Sequence, residues 1–498
     1  MKKKSLLAFI LISLVLFSSC GIITINRGTV QTSGESDTTD TDISLPTYVS
    51  KDYPTETETD GMEISKDKIA LLPDADLDGK SVFFAVAEET GNIFNEEAGI
   101  YAQSVLYRNQ LVNEKYKTKL ITLKKSASVL FDEVKSADKS GDYFADFAVI
   151  QYAKIGSYYA GGYLRNLKSL SYAELSDDCY NQSAMEQLTL GGYTVGAVGY
   201  ATEQIEHYSC LYFNKTLAEK HDILLDYESI YSGDFTWDVF LEMLKRIPEK
   251  TASFVSEIDN DELIAASFFS SGQTYLSSDN DGEGLGLSCS TEASASLIAS
   301  LKELLALKTD SIKKEVPSDA ESGTETVTQE ITLSGADVFL EGEALFCFGS
   351  LGTMNILENC GFKWEALPLP KINASDKSYS TSVSSDAPII TALASGENID
   401  TIGYVLRALN VASFGYLKYD FYRNAEKNLI TGVNTLDMID FICENPIYDH
   451  ASMFGGSYKA LREGTYMAFI SAAEGSRSFE YYLSKNASAL NKYLASLR

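Results

Sequence analysis

Short apolar segments alternate with helical patterns in the first third of the chain after residue 79. The segment Lys80–Ala87 (KSVFFAVA) is apolar almost throughout, which is typical of a strand buried on both faces of a parallel sheet. A helical pattern at 99–116 leads to a second strand at 119–123, and a further helix leads to a third strand at 142–151. Units of this length favour parallel strands joined by right-handed crossovers, so the sequence predicts an α/β fold.

Polar residues follow the first and third of these strands. Glu88 and Glu89 come directly after the first strand, and Gln151 and Tyr152 stand at the end of the third. In open parallel sheets, ligands bind outside the carboxyl ends of the strands. We therefore expect these four residues to contact a ligand.

The stretch Ser209–Ile247 contains a second strand-to-helix transition. An apolar run, 210–213, passes through Asn214 into a helical pattern, which is typical of a buried strand feeding a helix. Further on, Thr236 stands where an N-cap hydroxyl would accept from a backbone N–H, and Asp238 favours the positive end of the helix dipole. The apolar face expected for that helix consists of Val239, Phe240, Met243, Leu244 and Ile247.

Three segments carry a resemblance to a known family. They are the Asn-Lys and Thr-Trp-Asp-x-Phe patterns within Ser209–Ile247, the segment Phe339–Met354 (FLEGEALFCFGSLGTM) and the segment Phe362–Pro370 (FKWEALPLP). Together they resemble the extracellular solute-binding proteins of carbohydrate-type ABC importers (family 1, maltose-binding-protein-like). The resemblance implies a two-lobe periplasmic-binding-protein-like α/β fold of type II, with crossing hinge strands and a C-terminal helical section.

The resemblance also implies two discontinuous lobes, and the composition of the N-terminal part, described below, adds a leader and a tether. We expect a lipoprotein signal peptide at 1–19, a lipid-anchored flexible tether at 20–78, lobe 1 at 79–207 with 376–411, and lobe 2 at 208–375 with 412–498.

Further ligand contacts are implied where these family segments meet the expected cleft. Relatives often have a Trp just after Gly349, and its absence here departs from the family pattern. Trp364 either lines the cleft or packs the hinge, and both interpretations stay open. Tyr448 beside Asp449 offers a face for stacking and an acceptor for hydroxyl groups. The implied contacts are Glu206, His207, Gly349, Ser350, Trp364, Asp386, Tyr448 and Asp449.

The N-terminus has the order of an export signal. Three lysines precede an apolar run, 6–17, which is too short to span a bilayer comfortably, and the small residues that follow end at Cys20. This ending resembles the bacterial lipobox, so we expect Cys20 to carry lipid and to anchor the protein to the cell membrane, facing the extracellular side. An ordinary cleaved signal with an incidental Cys is the alternative. The Ser-, Thr- and acid-rich segment after it predicts the flexible tether.

Charge and cysteine content exclude several functions. The net charge of −29 leaves no basic stripe for phosphates, so nucleic-acid binding is not expected. No cysteine pair has CxxC spacing and there are three His, so neither a metal site nor a cofactor is predicted. Cys210 and Cys347 lie in apolar strand patterns, which predicts buried free thiols. His207 is the one histidine singled out for titration near neutral pH.

Three less regular segments carry structural expectations. The run 279–284 (DNDGEG) lacks the Glu that an EF-hand loop requires and is predicted to be a turn between two strands. The charged segment Lys308–Leu333 is predicted to be a flexible insertion. The run Gly191–Tyr200 is predicted to be a strand that leads to the hinge.

The function implied by the resemblance is capture of a solute outside the membrane and its delivery to an ABC importer permease. Carbohydrate, as an oligosaccharide, is the expected ligand, and the protein is expected to be a monomer without enzymatic activity. A surface protein that senses or adheres with the same fold is one alternative. An anchored glycoside hydrolase is another, although no GxSxG or HExxH motif supports one.

Overall fold

The computed structural model describes most of the chain from residue 58 onward. The described residues are 58–91, 93–202, 204–248, 251–278, 285–289, 291–317, 328–357, 360–376, 378–414, 420–421 and 435–495. Within these ranges no helix is both long enough and apolar enough to cross a bilayer.

Most strands are short and belong to two four-stranded sheets or to two-stranded pairs. In chain order they are β1 (Ser81–Ala87), β2 (Lys119–Lys125), β3 (Phe147–Gln151), β4 (Thr189–Leu190), β5 (Tyr193–Thr194), β6 (Ser209–Asn214), β7 (Ala252–Ser256), β8 (Leu276–Ser278), β9 (Leu285–Leu287), β10 (Ser311–Pro317), β11 (Thr328–Ser334), β12 (Ala344–Ser350), β13 (Trp364–Leu367), β14 (Thr381–Ser382), β15 (Pro388–Ala392) and β16 (Pro446–Ile447).

Helices connect and cover these strands. The α-helices are Glu58–Ala70, Ala102–Tyr116, Ala127–Ser140, Ile155–Ala160, Gln182–Gln187, Lys215–Lys220, Tyr227–Tyr231, Trp237–Leu244, Asn260–Ser270, Thr291–Leu307, Ala336–Leu340, Met354–Leu357, Ile399–Ala412, Thr435–Cys443, His450–Gly455, Lys459–Gly464, Tyr466–Glu474 and Phe479–Ala495. Short 3-10 helices are Glu88–Thr90, Tyr152–Lys154, Leu167–Ser169, Ile205–His207 and Leu351–Thr353. The helices after residue 434 form the C-terminal helical section that the family resemblance implies.

The first sheet has the order β15-β3-β1-β2 and confirms the predicted alternation. Strand β1 is parallel to both β2 and β3, whereas β15 is antiparallel to β3. Phe84 stacks on Phe147 of β3 with ring centroids 4.6 Å apart, and both rings are buried. Burying a side chain of this size contributes about 2–3 kcal/mol. Successive side chains of a strand point to opposite faces, so the apolar runs of β1 and β3 stabilise a sheet that is covered on both faces.

The second sheet has the order β13-β6-β12-β7. Strand β12 runs parallel to β7 and antiparallel to β6, and β13 is antiparallel to β6. The helix Trp237–Leu244 docks on it through Phe240, whose ring lies 5.0 Å from that of Phe346. Cys210 and Cys347 are buried free thiols in β6 and β12, as expected.

The tether prediction is wrong for its last part. The helix Glu58–Ala70 packs against the helices that cover the first sheet, and Ile69 and Leu72 are buried there. The Ser65 hydroxyl donates to the Phe414 carbonyl oxygen at 2.8 Å. A few apolar residues spaced along a polar segment are enough to dock a helix when a preformed apolar surface is available.

The predicted flexible insertion at 308–333 is also partly wrong. Its ends form the antiparallel pair β10 and β11, in which Ile312 faces Leu333, and residues 318–327 lie outside the described residues. An ion pair between Lys313 and Glu330, 2.8 Å apart, spans the two strands. The charges that suggested disorder therefore lie on a hairpin. The predicted turn at 279–284 also lies outside the described residues, but β8 and β9 on either side do pair.

Two local predictions need correction. Thr236 is the N-cap residue of its helix, but its hydroxyl accepts no capping bond. The N–H of the first helical residue, Trp237, donates to the Lys371 carbonyl oxygen. Val239 is 40% exposed, whereas Trp237 and Leu241, which were not expected there, lie on the buried face. The strand predicted at Gly191–Tyr200 forms only in part, as the short β5 and as isolated bridges from Ala197 to Ile390 and from Gly199 to Tyr180.

The chain passes from the first sheet to the second at residues 205–208. There Tyr208 pairs with Val383, and the Ser384 N–H donates to the His207 carbonyl oxygen at 2.8 Å. The segment leading into β15 therefore runs antiparallel beside the segment leading into β6. The two segments are therefore arranged as crossing hinge strands. The lobe boundaries given above remain predictions.

Candidate functional site

The ends of strands from both sheets meet around one cavity. Strand β3 is followed by Tyr152, β7 by Glu257, and β12 ends at Ser350. The two strands of opposite direction, β6 and β15, begin there, preceded by Glu206 and Asp386 respectively. The cavity has a volume of about 470 Å³ and is called the strand-end cavity below. It lies where the topology of α/β sheets places ligands.

Half of the residues proposed from the sequence line this cavity. They come from four separate stretches of the chain, which the topology of the two sheets brings together. These residues are Tyr152, Glu206, His207, Gly349, Ser350 and Asp386.

A hydrogen bond from Tyr101, which directly precedes the helix Ala102–Tyr116, holds the Glu206 carboxylate in place. The Tyr101 hydroxyl donates to its Oε1, and its Oε2 is buried without a hydrogen-bond partner among the described residues. Burial raises the pKa of the Glu206 carboxyl, which the bond from Tyr101 opposes. The carboxylate is thus fixed in position with one acceptor atom to spare.

His207 is placed beside it on the same 3-10 helix. Its Nε2 lies 3.2 Å from Gln204 Oε1. Burial lowers the pKa of the imidazole, and the nearby Asp386 carboxylate acts against this shift. At neutral pH the ring is therefore uncharged and can offer one donor and one acceptor.

Gly349 and Ser350 bring backbone close to a carboxylate. A Cβ at position 349 would lie 2.7 Å from Glu257 Oε2 and 2.9 Å from Thr353 Oγ1, so only Gly fits without displacing them. The Thr353 hydroxyl donates to Glu257 Oε2 at 2.6 Å and accepts from the Ser350 N–H at 3.2 Å. The glycine expected at this strand end thus makes room for an acidic residue.

A second cavity of about 430 Å³ lies next to the first and is called the side cavity below. Glu89, Ser128, Gln151 and Tyr158 are among its lining residues. Gln151 joins the linings of the two cavities, because its Nε2 donates to Asp386 Oδ1 of the strand-end cavity at 2.6 Å. Among the described residues, neither Gln151 Oε1 nor the Tyr158 hydroxyl has a hydrogen-bond partner.

Glu89 and Glu88 have different positions after β1. Glu89 caps the helix Ala127–Ser140, since both carboxylate oxygens accept from the Ala127 N–H, at 2.8 and 3.0 Å. It therefore lines the side cavity with its charge already engaged. Glu88 is exposed and lines neither cavity.

Three of the proposed contacts lie in the interior instead. Trp364 is 2% exposed and packs edge-on against Tyr212 at 5.7 Å, which settles its two interpretations in favour of packing. Tyr448 is buried behind Tyr152, with ring centroids 5.5 Å apart. Asp449 accepts from the N–H groups of Tyr275 and Ala451, at 2.9 and 2.7 Å.

Burial explains why Asp449 is a structural residue. It is 1% exposed, and desolvation raises the pKa of its carboxyl to about 6 although backbone N–H groups lower it. A side chain enclosed in this way cannot reach either cavity. Tyr448 and Asp449, whose neighbouring ring and carboxylate suggested a sugar site, instead support the wall of the strand-end cavity. Tyr152 in that wall is held in place because its hydroxyl donates to the Asp449 carbonyl oxygen at 2.8 Å.

Sequence reasoning missed several lining residues. Glu257 directly follows the apolar run of β7, so the rule applied to Glu88 would have found it. Glu262 lies on the next helix, and Tyr466 comes from the distant C-terminal section, where no local pattern indicates it. The missed residues include Ser209, Glu257, Glu262, Phe269, Ser452 and Tyr466.

Two mixed sheets, helices on their faces and crossing segments at a shared cavity define the two-lobe periplasmic-binding-protein fold of type II. Solved structures of sugar-binding proteins share it. The galacto-N-biose-/lacto-N-biose I-binding protein of the ABC transporter from Bifidobacterium longum is 13% identical, with a TM-score of 0.53 over 84% of this chain and 97% of that chain. The sugar-binding protein MalE from Xanthomonas citri is 10% identical, with a TM-score of 0.53 over 84% and 98%.

A third solved structure has the same arrangement. The cyclic alpha-maltosyl-1,6-maltose binding protein from Arthrobacter globiformis is 12% identical, with a TM-score of 0.50 over 83% of this chain and 98% of that chain. No family model and no curated protein matches the sequence. At these identities the likeness is one of fold.

Proposed function

We propose that this chain is a lipid-anchored extracytoplasmic solute-binding protein that captures a carbohydrate between its two lobes and delivers it to an ABC importer permease. The observation that carries the proposal is the strand-end cavity. It combines aromatic side chains, Tyr152, Phe269 and Tyr466, with hydroxyl and carboxylate groups from both sheets. Rings that stack and oxygens that accept are what a sugar requires.

Two adjacent cavities support an oligosaccharide rather than a monosaccharide. The linings of the strand-end cavity and the side cavity touch, since Gln151 of the side cavity donates to Asp386 of the strand-end cavity. Their unpartnered acceptor and hydroxyl groups can each bond with a sugar hydroxyl. The solved structures of the same fold include a complex with lacto-N-biose, which supports the same class of ligand.

Thermal unfolding of the chain without residues 1–20, against mono- and oligosaccharides, amino acids and peptides, tests the proposal. A ligand at 100 times its dissociation constant adds about 2.7 kcal/mol of stability. We expect a shift with one carbohydrate class, lost in Tyr466→Ala and kept in the control Tyr481→Ala, which removes a ring that is 44% exposed elsewhere. Cooperative unfolding with no shift from any carbohydrate contradicts the proposed ligand.

The proposed location is the cell membrane, with the protein facing outward on a lipid attached to Cys20. Cys20 lies outside the described residues, so this part rests on the sequence pattern. We expect cells given labelled palmitate to label the wild-type protein but not Cys20→Ser, with Cys289→Ser as the control. Equal labelling of the three proteins contradicts the anchor.

Uptake of the solute by cells that lack the gene separates transport from surface sensing. Solute binding by the protein without any effect of gene deletion on uptake would favour surface sensing over transport.

A further inference from the structure

Among the described residues, the charged side chains around the strand-end cavity have one sign. Glu206, Glu257, Glu262 and Asp386 line it, and no described Lys or Arg does. Within the described part of the chain, none of these four carboxylates forms an ion pair. A neutral sugar would leave this negative charge without a counter-charge, whereas a cation would supply one.

Unpartnered acceptors give an independent indication of what the site binds. Glu206 lines the strand-end cavity, and its Oε2 is a buried acceptor without a donor among the described residues. Gln151 Oε1, a second such acceptor, belongs to the side cavity next to it. Buried acceptors left without a donor destabilise a protein, so a ligand rich in N–H and O–H groups is favoured here.

The neighbouring groups do not offset the charge. His207 is the basic side chain among the described lining residues, and burial lowers its pKa, so it is neutral at pH 7. Burial raises the pKa of Glu206, and burial together with Asp259 and Asp386 raises that of Glu262. Raised values mean that the carboxylate charges are costly as they stand. Lys154 lines the side cavity beside Glu89 and not the strand-end cavity.

We infer that the solute is a polyhydroxylated cation, an amino sugar whose protonated primary amine occupies the strand-end cavity among Glu206, Glu257, Glu262 and Asp386. This inference rests on the proposed function and narrows its ligand class. The sugar hydroxyls face the serines and rings of the same cavity. Closure of the lobes lowers the local dielectric, which strengthens the attraction between amine and carboxylates.

Calorimetric titration with sugars that differ only in the group at C2 of each ring tests the inference. The panel is glucosamine, galactosamine and the β-1,4 disaccharide of glucosamine, each with its hydroxyl counterpart (glucose, galactose, cellobiose) and its N-acetyl derivative. We expect an amine-bearing member to bind about tenfold or more tightly than its two neutral counterparts, because only the amine gains the charge attraction. Its affinity should fall as salt is raised, since added ions screen exposed charges.

Two variants that each remove one negative charge show whether the preference for the amine comes from the strand-end cavity. Glu262→Gln removes a carboxylate that lines the cavity and has no hydrogen-bonded side-chain partner of its own among the described residues. Glu228→Gln removes an exposed carboxylate on another helix. We expect Glu262→Gln to weaken amine binding about fivefold and to leave the neutral counterpart unchanged, with Glu228→Gln matching the wild type.

The outcomes separate the two proposals. A neutral sugar that binds as tightly as its amine counterpart overturns the inference and leaves the proposed function standing. An amine preference that Glu262→Gln and Glu228→Gln reduce equally also overturns it, because the effect then comes from overall charge. Failure of every sugar, here and in the thermal panel, overturns both.

Discussion

At the scale of single residues, the direction in which a side chain faces decides between binding and structure. Tyr448 beside Asp449 has the chemistry of a sugar contact in the sequence, but both side chains lie in the interior. The sequence around Glu206 and His207 is no more distinctive than that around Tyr448 and Asp449, yet Glu206 and His207 line the strand-end cavity. Which side of the chain faces a cavity depends on contacts between distant segments, and a single sequence does not record those.

The structural role of Asp449 predicts a large effect of its removal on stability. In Asp449→Ala, the buried N–H groups of Tyr275 and Ala451 lose their acceptor, so we expect a loss of about 2–3 kcal/mol in the free energy of unfolding in urea at pH 7. Sugar affinity should be unchanged. The control Asp226→Ala removes an exposed N-cap that accepts from Ser229 at 3.2 Å and should cost about 1 kcal/mol. Equal losses in the two variants would contradict this role.

His450 predicts a dependence of stability on pH. Burial lowers the pKa of its imidazole to about 4, whereas an unfolded His titrates near about 6.5. The folded state therefore loses stability as the pH falls from 6.5 towards 4, since the unfolded chain takes up the proton first. The adjacent Asp449, with a pKa raised to about 6, acts in the opposite direction over this range.

Replacing the histidine separates these two contributions. Relative to the wild type, His450→Gln should gain about 2–3 kcal/mol of stability between pH 7 and pH 4, because it has no proton to take up. Urea unfolding at several pH values measures this, with His221→Gln as the control at the end of a surface helix. A constant difference between His450→Gln and the wild type across this range would contradict the assignment.

At the scale of elements, local transitions could be predicted and docking could not. The transition from β6 through Asn214 into a helix depends on adjacent residues, and it occurs in the structure at the predicted position. The helix Glu58–Ala70 was missed because its polar composition resembles a tether and its stability depends on a surface built by later residues. The hairpin of β10 and β11 was missed because its charged composition suggested a flexible insertion.

Asn214 predicts how strongly such a transition is stabilised. Its Oδ1 accepts from the Leu217 N–H at 2.9 Å, and its Nδ2 donates to the Gly342 carbonyl oxygen at 3.3 Å. The side chain is 0% exposed, so Asn214→Ala should lower the free energy of unfolding by about 2 kcal/mol.

A second N-cap provides the comparison. Asn398 accepts from the Thr401 N–H at 3.1 Å but is only half-buried, so Asn398→Ala should cost about 1 kcal/mol. If Asn214→Ala costs no more than Asn398→Ala, the second bond of Asn214 does not stabilise the junction.

At the scale of the whole molecule, topology determines the site. The two sheets bring strand ends from residues more than 200 positions apart to one cavity, as the hydrogen bond between Gln151 and Asp386 shows. The sequence could predict this edge from the alternation of strands and helices, and six of its proposed contacts are there. It could not predict Tyr466 or Glu262, because helices that close the cavity from the side carry no strand-end pattern.

Hydrogen–deuterium exchange with and without the sugar found in the thermal panel tests the central claim, that the ligand binds at these strand ends. We expect slower exchange at 151–152, 206–209, 257–266, 349–350 and 382–386, and unchanged exchange in the hairpin of β10 and β11. These segments come from both sheets, so protection of all of them requires one ligand between the lobes. Protection confined to one sheet, or located away from these segments, would contradict the claim.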